Sequence, residues 1–301
     1  LWDNVNNMKY IAAQPQTAYY AWQVETMINS FLDNNVREED IIILLADEGS
    51  NSFDEVFKKY PNVEFNSYPN HSDNTYAPAI KPYLMWQYFK SCSCKEDEQY
   101  FYCDADVILT KPLPEFKKGI CYMSDTISYI GYDYIVSKGD EVLELMCDLF
   151  KMDKNIIKMR QEQSGGAQYV FDGTDGKFWQ DVYHNSIALF KMLAKYNSDN
   201  IDMYEGTFPI QAWTAEMWAT TWQFWKSGIK TAVVPQLDFA WATDMSTKLD
   251  QVSILHNAGV GGDHKGFFKK FQYTTKYPPK NLRIKKDYCS HYYYEQVKKS
   301  I

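Results

Sequence analysis

The sequence contains no run of about 18 consecutive apolar residues, which excludes an ordinary transmembrane helix. No secretory signal pattern is expected from its first residues. Internal repeats and linker-like stretches are also missing, so 301 residues read most simply as one domain, 1–262, with an extension over 263–301 packed on it. Cysteine is sparse at six residues, and none forms a CxxC pair; Cys92 and Cys94 are too close for an ordinary bridge. Cys103 and Cys121 lie in apolar runs and read as buried thiols. A reducing, cytoplasmic setting is the expectation. The formal net charge of −8 argues against a non-specific nucleic-acid binder.

Aromatic residues are abundant, with 24 Tyr, 17 Phe and 9 Trp. They serve a core and also suit stacking on flat ligands such as bases and sugar faces. Charge is unevenly spread. From His264 onward ten Lys or Arg face only Asp287 and Glu295, so this tail carries +8 and the rest of the chain −16. Basic and aromatic residues together could hold a polyanionic acceptor, or form an extension packed by its own rings. The rich use of Asn, Lys, Tyr, Ile and Phe fits AT-rich coding, common in phages, viruses and parasites.

The first 110 residues alternate between strand and helix patterns. Tyr10–Ala13 reads as a strand, and Val24, Met27, Ile28 and Phe31 mark one face of a helix with Thr17 as N-cap. The continuous apolar run from Asp40 to Ala46 predicts a strand buried on both faces. Helix over 53–60, strand over 63–68, helix over 80–90 and a fourth strand over Tyr100–Leu109 follow. This order predicts an α/β fold with a mostly parallel central sheet flanked by helices, in which ligands bind at the carboxyl ends of the strands. Further on, strands are expected over 120–123, 129–136, 168–171, 229–234 and 239–242. Helices are expected over 141–150, 177–196 and 212–227.

Asp104-Ala105-Asp106 follows the apolar run Tyr100–Cys103 and precedes Val107-Ile108-Leu109. In an extended chain residues two apart face the same side. Acids within apolar sequence need a compensating charge. Mg²⁺ and Mn²⁺ prefer oxygen ligands and often combine one or two carboxylates with substrate phosphates. Such a cation neutralises the charge that develops on a nucleoside diphosphate leaving group. His256 follows Ile254-Leu255 and precedes a glycine-containing loop, which suits either a metal-ligating imidazole or a satisfied core histidine.

Strand, Asp-x-Asp and apolar residues in this order resemble the donor motif of GT-A-fold glycosyltransferases. Three further segments agree in order along residues 8–262: Tyr76–Leu84, containing Lys81; Gly165-Gly166-Ala167-Gln168; and Ile254–Gly259, containing His256. The resemblance implies a Rossmann-like domain that transfers a sugar from a nucleotide-sugar donor, a UDP-sugar by analogy, to a hydroxyl acceptor. It implies Mn²⁺ or Mg²⁺ held by Asp104, Asp106 and His256. It further implies donor contacts from Gln14, Asp47, Lys81, Asp104, Ala105, Gly165, Gly166, Gln168 and Lys265. Glu216 is the first candidate for a catalytic carboxylate and Asp238 the second, with Asp244 in reserve and Trp241 as an acceptor contact. Inversion and retention both stay open, as do glycan, protein and hydroxymethylated DNA acceptors. Two other readings use the same residues: a metal-dependent phosphoryl-transfer enzyme, which wants more clustered acids, and a non-catalytic carbohydrate-binding protein.

Overall fold

The computed structural model describes residues 8–91, 98–204 and 207–301; Cys92 and Cys94 lie outside the described residues. Its strands and helices divide between two compact units. One takes residues 8–70, 98–116 and 235–301, and the other 71–91, 117–204 and 207–234.

The first unit opens with β1 (Met8–Pro15), α1 (Ala18–Asp33), β2 (Ile41–Asp47), α2 (Asp54–Lys59) and β3 (Glu64–Pro69). The second unit begins with α3 (Ile80–Ser91). The chain then returns to the first with β4 (Gln99–Tyr102) and β5 (Val107–Leu109). Next come β6 (Ile120–Asp125), α4 (Ile127–Ile130), α5 (Tyr132–Val136), α6 (Asp140–Phe150), α7 (Lys154–Met159) and β7 (Gly165–Phe171). These belong to the second unit with α8 (Gly176–Asp199), α9 (Ala215–Lys226) and β8 (Lys230–Val233). The first unit closes with β9 (Phe239–Trp241), β10 (Ile254–His256) and α10 (Cys289–Ser300).

The protein is a mixed α/β fold whose main sheet has seven strands, mostly parallel. The first unit supplies four of them, all parallel, in the order β3-β2-β1-β4. Ile41 to Ala46 of β2 are at most 1% exposed, as expected for a strand covered on both faces. In α1 the predicted face, Val24, Met27, Ile28 and Phe31, is fully buried. Thr17 takes the N-cap position, but its side chain makes no cap bond and only its carbonyl accepts, from the Tyr20 and Ala21 amides. The order of strands reverses at β1, with β2 on one side and β4 on the other. Ligands bind at such a switch point in open α/β sheets.

The expected fourth strand over 100–109 is two strands. β4 pairs parallel with β1, whereas β5 pairs antiparallel with β10 in a separate three-stranded sheet, β5-β10-β9. The chain changes sheets across Cys103–Asp106, where the Val107 amide donates to the Asp104 carbonyl at 3.1 Å and closes a turn. Two carboxylates inside a doubly covered strand would lose their water without compensation. The break between sheets leaves Asp104 partly open to water, while Asp106 stays buried beside Lys270 and His256.

The second unit contributes β7-β6-β8, with β6 antiparallel to β7 and parallel to β8. The stretch 129–136, expected as a strand, forms α4 and α5 instead. The apolar Ile130 and Ile135 both turn inward, and Gly131 sits where a Cβ would lie 2.6 Å from the Ile127 carbonyl oxygen. Only a residue without a side chain fits that joint. Asp175 caps α8 by accepting from the Phe178 amide at 2.8 Å. Among the described residues no helix is long and apolar enough to cross a membrane.

Candidate metal and donor site

Asp104, Asp106 and His256 come together in the first unit, each offering a ligand atom within 4.8 Å of the other two. The register explains it. β10 pairs with β5 so that His256 lies opposite Val107, one residue past Asp106, and the Asn257 amide then donates to the Asp106 carbonyl at 2.9 Å. His256 Nε2 is 3.3 Å from Asp106 Oδ1 and 3.8 Å from Asp104 Oδ2. Trp241, opposite His256 on β9, stacks on the imidazole at 5.9 Å between centroids, and Phe239 flanks it at 5.7 Å. Trp241, expected as an acceptor contact, packs on the His256 ring here.

The two carboxylates differ. The Asp104 side chain is 31% exposed and the Asp106 side chain 6%. Burial would raise the Asp106 pKa, but the Lys270 ammonium and His256 beside it hold the carboxyl well below its usual range. Lys270 forms an ion pair and hydrogen bond with Asp106 Oδ2. Burial would lower the lysine, and the Asp106 charge keeps it above its ordinary value. Burial, then Tyr19, Asp104 and Asp106, push the Tyr20 phenol up to about 12, so it stays a neutral hydroxyl beside the site.

These residues fit a hard divalent cation. The donor set is two carboxylates and one imidazole with no thiolate, which suits Mn²⁺ or Mg²⁺. The two His256–carboxylate distances are spans that metal–ligand bonds of roughly 2.1 Å can bridge. A cation, the Lys270 ammonium, already sits on one of the oxygens. The amide of Asn257, next to His256, is buried with neither its Nδ2 nor its Oδ1 hydrogen-bonded.

Gln14 and Asp47, two other expected donor residues of this unit, lie at the carboxyl ends of β1 and β2. Gln14, near the end of β1, is 2% exposed. Its Nε2 donates to the Leu44 carbonyl at 3.2 Å, and its Oε1 is buried without a partner. Asp47 ends β2, but its Oδ1 accepts from the Gly49 amide at 2.7 Å, capping its own loop. Lys265 is exposed in a turn, and Asp238 is half-buried just before β9. The reserve Asp244 accepts from the Trp241 amide at 2.9 Å and caps a turn.

In the second unit Lys81 and Glu216 form an ion pair at 3.1 Å, with side chains 20% and 4% exposed. Tyr76 Oη accepts from the Glu216 amide at 3.0 Å, and Thr220 Oγ1 donates to the Glu216 carbonyl at 2.8 Å. Gln168 is fully buried and accepts from Ser124 Oγ at 2.7 Å. A Cβ on Gly165 would collide with Met123 Cβ and lie 2.8 Å from the Ser124 carbonyl oxygen. One on Gly166 would lie 2.5 Å from Met217 Cε. Gly165 is thus required by packing within this unit, whereas at Gly166 the flexible end of Met217 could give way. Between these glycines and Tyr169 the β6–β7 register shifts, and Ala167 adopts a left-handed φ of 65°.

Lys270, Tyr20 and Asn257 are site residues that sequence reasoning did not single out. Lys270 stands among many tail lysines and is 164 residues from Asp106, so no spacing links them.

No family model and no curated protein matches the chain. Among solved structures it is similar to the apo form of WbbM, a bifunctional glycosyltransferase, at 12% identity and a TM-score of 0.45. That match covers 85% of this chain and 46% of WbbM, so the chain spans under half of that protein. It is also similar to the galactosyltransferase LgtC in complex with donor and acceptor sugar analogs. The identity there is 12%, the TM-score 0.43, and the coverage 96% of this chain and 95% of that one. An active-site mutant of LgtC gives 10%, 0.46, 89% and 94%. At such distances the chain's own residues carry the chemistry.

Proposed function

We propose that the protein is a glycosyltransferase that transfers a sugar from a nucleotide-sugar donor, a UDP-sugar, to a hydroxyl acceptor with the help of a divalent cation. The observation that carries this reading is the Asp104–Asp106–His256 cluster in the turn after β4, at the switch point of the parallel strands. Asp104 and Asp106 supply carboxylate oxygens and His256 an imidazole nitrogen, the ring held in place by Trp241 and Phe239. When bound, the cation neutralises the diphosphate as the sugar departs. Gln14 offers its unpaired Oε1 to a base or ribose donor group. Two carboxylates are proposed for the catalytic role: Glu216, ion-paired with Lys81 at 3.1 Å, and Asp238 at the head of β9. Among the described residues one group of three metal-ligating side chains is found. A phosphoryl-transfer enzyme with two metals would want more acids than that.

A thermal-shift screen of nucleotide sugars with Mn²⁺ and with EDTA tests the proposal. A UDP-sugar is expected to raise the melting temperature with Mn²⁺ and to lose most of that effect in EDTA. No stabilisation by any nucleotide sugar under either condition would overturn it.

A further inference from the structure

Lys270 is not accounted for by the metal reading alone. Its ammonium bonds Asp106 Oδ2, the carboxylate that also lies 3.3 Å from His256 through Oδ1. Two carboxylates and one ammonium leave the cluster with a single net negative charge. A dication entering this corner meets a positive charge already on one of its ligands, in a setting where Asp106 is nearly sealed from water and attraction and repulsion are both strengthened. Lysine carries its charge as a compact point on a flexible stem, so it can leave one anion for another without the planar pairing an arginine would impose. The Lys270 side chain keeps 28% of its surface exposed, which leaves it a way out toward solvent.

We propose that Lys270 is a resident counter-cation of the metal site: it neutralises Asp106 while no divalent cation is bound, yields that carboxylate on metal entry, and moves onto the diphosphate of the donor. This rests on the metal-site reading above and adds to it a coupling between two ligands. Metal alone must displace the ammonium into water. Metal together with a nucleoside diphosphate gives the ammonium a new anion. Each ligand therefore raises the affinity for the other, by the same factor in both directions.

Mn²⁺ binding, followed by the loss of the free-ion electron paramagnetic signal, tests this on the full chain with UDP as the nucleotide probe. Lys270→Met is expected to bind Mn²⁺ alone about tenfold more tightly than wild type, and UDP is expected to enhance its Mn²⁺ binding several-fold less than it does in wild type, the remainder coming from the direct attraction of cation and diphosphate. Lys270→Arg, which keeps the charge but pairs with a carboxylate as a planar fork, should bind Mn²⁺ alone no more tightly than wild type. Because Lys270→Met leaves Asp106 without its partner, its apo form should melt lower than wild type and gain more from Mn²⁺. Unchanged or weaker Mn²⁺ binding in Lys270→Met, with wild type binding normally, overturns the counter-cation role and leaves the metal site standing. Absence of Mn²⁺ binding in both proteins, with and without UDP, overturns the metal site and this inference together.

Discussion

Asp104 and Asp106 are separated by one residue yet do different work. Asp106 is a buried charge held by Lys270 and His256, whereas Asp104 looks outward with about a third of its side chain exposed. The same chemical change should therefore give two outcomes. Asp104→Asn removes a proposed metal ligand without stranding a buried ion. Its unfolding free energy is expected within about 0.5 kcal/mol of wild type, while Mn²⁺-dependent transfer falls on the order of a hundredfold or more. Asp106→Ala leaves the Lys270 ammonium without its partner and should cost roughly 3 kcal/mol, the lower end of the range for breaking a buried pair because the lysine keeps some water. Urea denaturation of both variants, read beside a donor-turnover assay, separates the two; equal destabilisation would refute the division. The Asp-x-Asp pair and His256 were legible as residue types in order. Lys270 was not, because its link to Asp106 is made only by the fold.

At the scale of elements, continuous burial and helical periodicity were readable, and alternation was not. β2 announces itself through six apolar residues in succession, and α1 through one apolar face. The stretch 100–109 looks like one strand because apolar residues lie on both sides of the acids, yet its halves join different sheets. Residues 129–136 look strand-like, yet the Gly131 joint lets two short helical turns bury Ile130 and Ile135. Gly165 shows how a motif can have a local cause. A methyl there would meet Met123 Cβ, the Ser124 carbonyl oxygen and Val233 Cγ2, at a place where the β6–β7 register already shifts. Two of those contacts are on β6 itself, so relief requires moving a strand. Gly165→Ala is expected to lose roughly 1–3 kcal/mol of stability, the usual cost of overpacking. Chemical denaturation without any ligand checks this. A variant as stable as wild type but weaker in donor binding would instead assign the glycine to the sugar.

At the scale of the molecule, the +8 tail and the −16 remainder meet inside the first unit. Lys270 pairs with Asp106, and Lys299 and Gln296 bond Asp33, holding its carboxyl below the ordinary range. Four of the tail's rings are internal as well, while Phe271, Tyr277 and Tyr292 stay exposed. Phe268, Tyr273, Tyr293 and Tyr294 form one buried cluster with Trp22 of α1, Ile108 of β5 and Leu255 of β10, and the Trp22 indole donates to the Tyr273 carbonyl at 3.0 Å. Each buried aromatic removes about 150–250 Å² from water, worth about 4–6 kcal/mol at 25 cal/mol per Å². Deleting 263–301 returns the ordering entropy of that segment, but it also bares Trp22 and Leu255, which are fully buried, and removes the counter-charge of Asp106. A chain ending at residue 262 is therefore expected to lack a cooperative thermal transition and to bind the dye ANS, while the full chain melts in a single step. A truncated chain that melts cooperatively near the wild-type temperature would show instead that the tail is an appendage, free to serve an acceptor. The burial of four of its rings argues that its first task is to complete the unit that holds the proposed metal site.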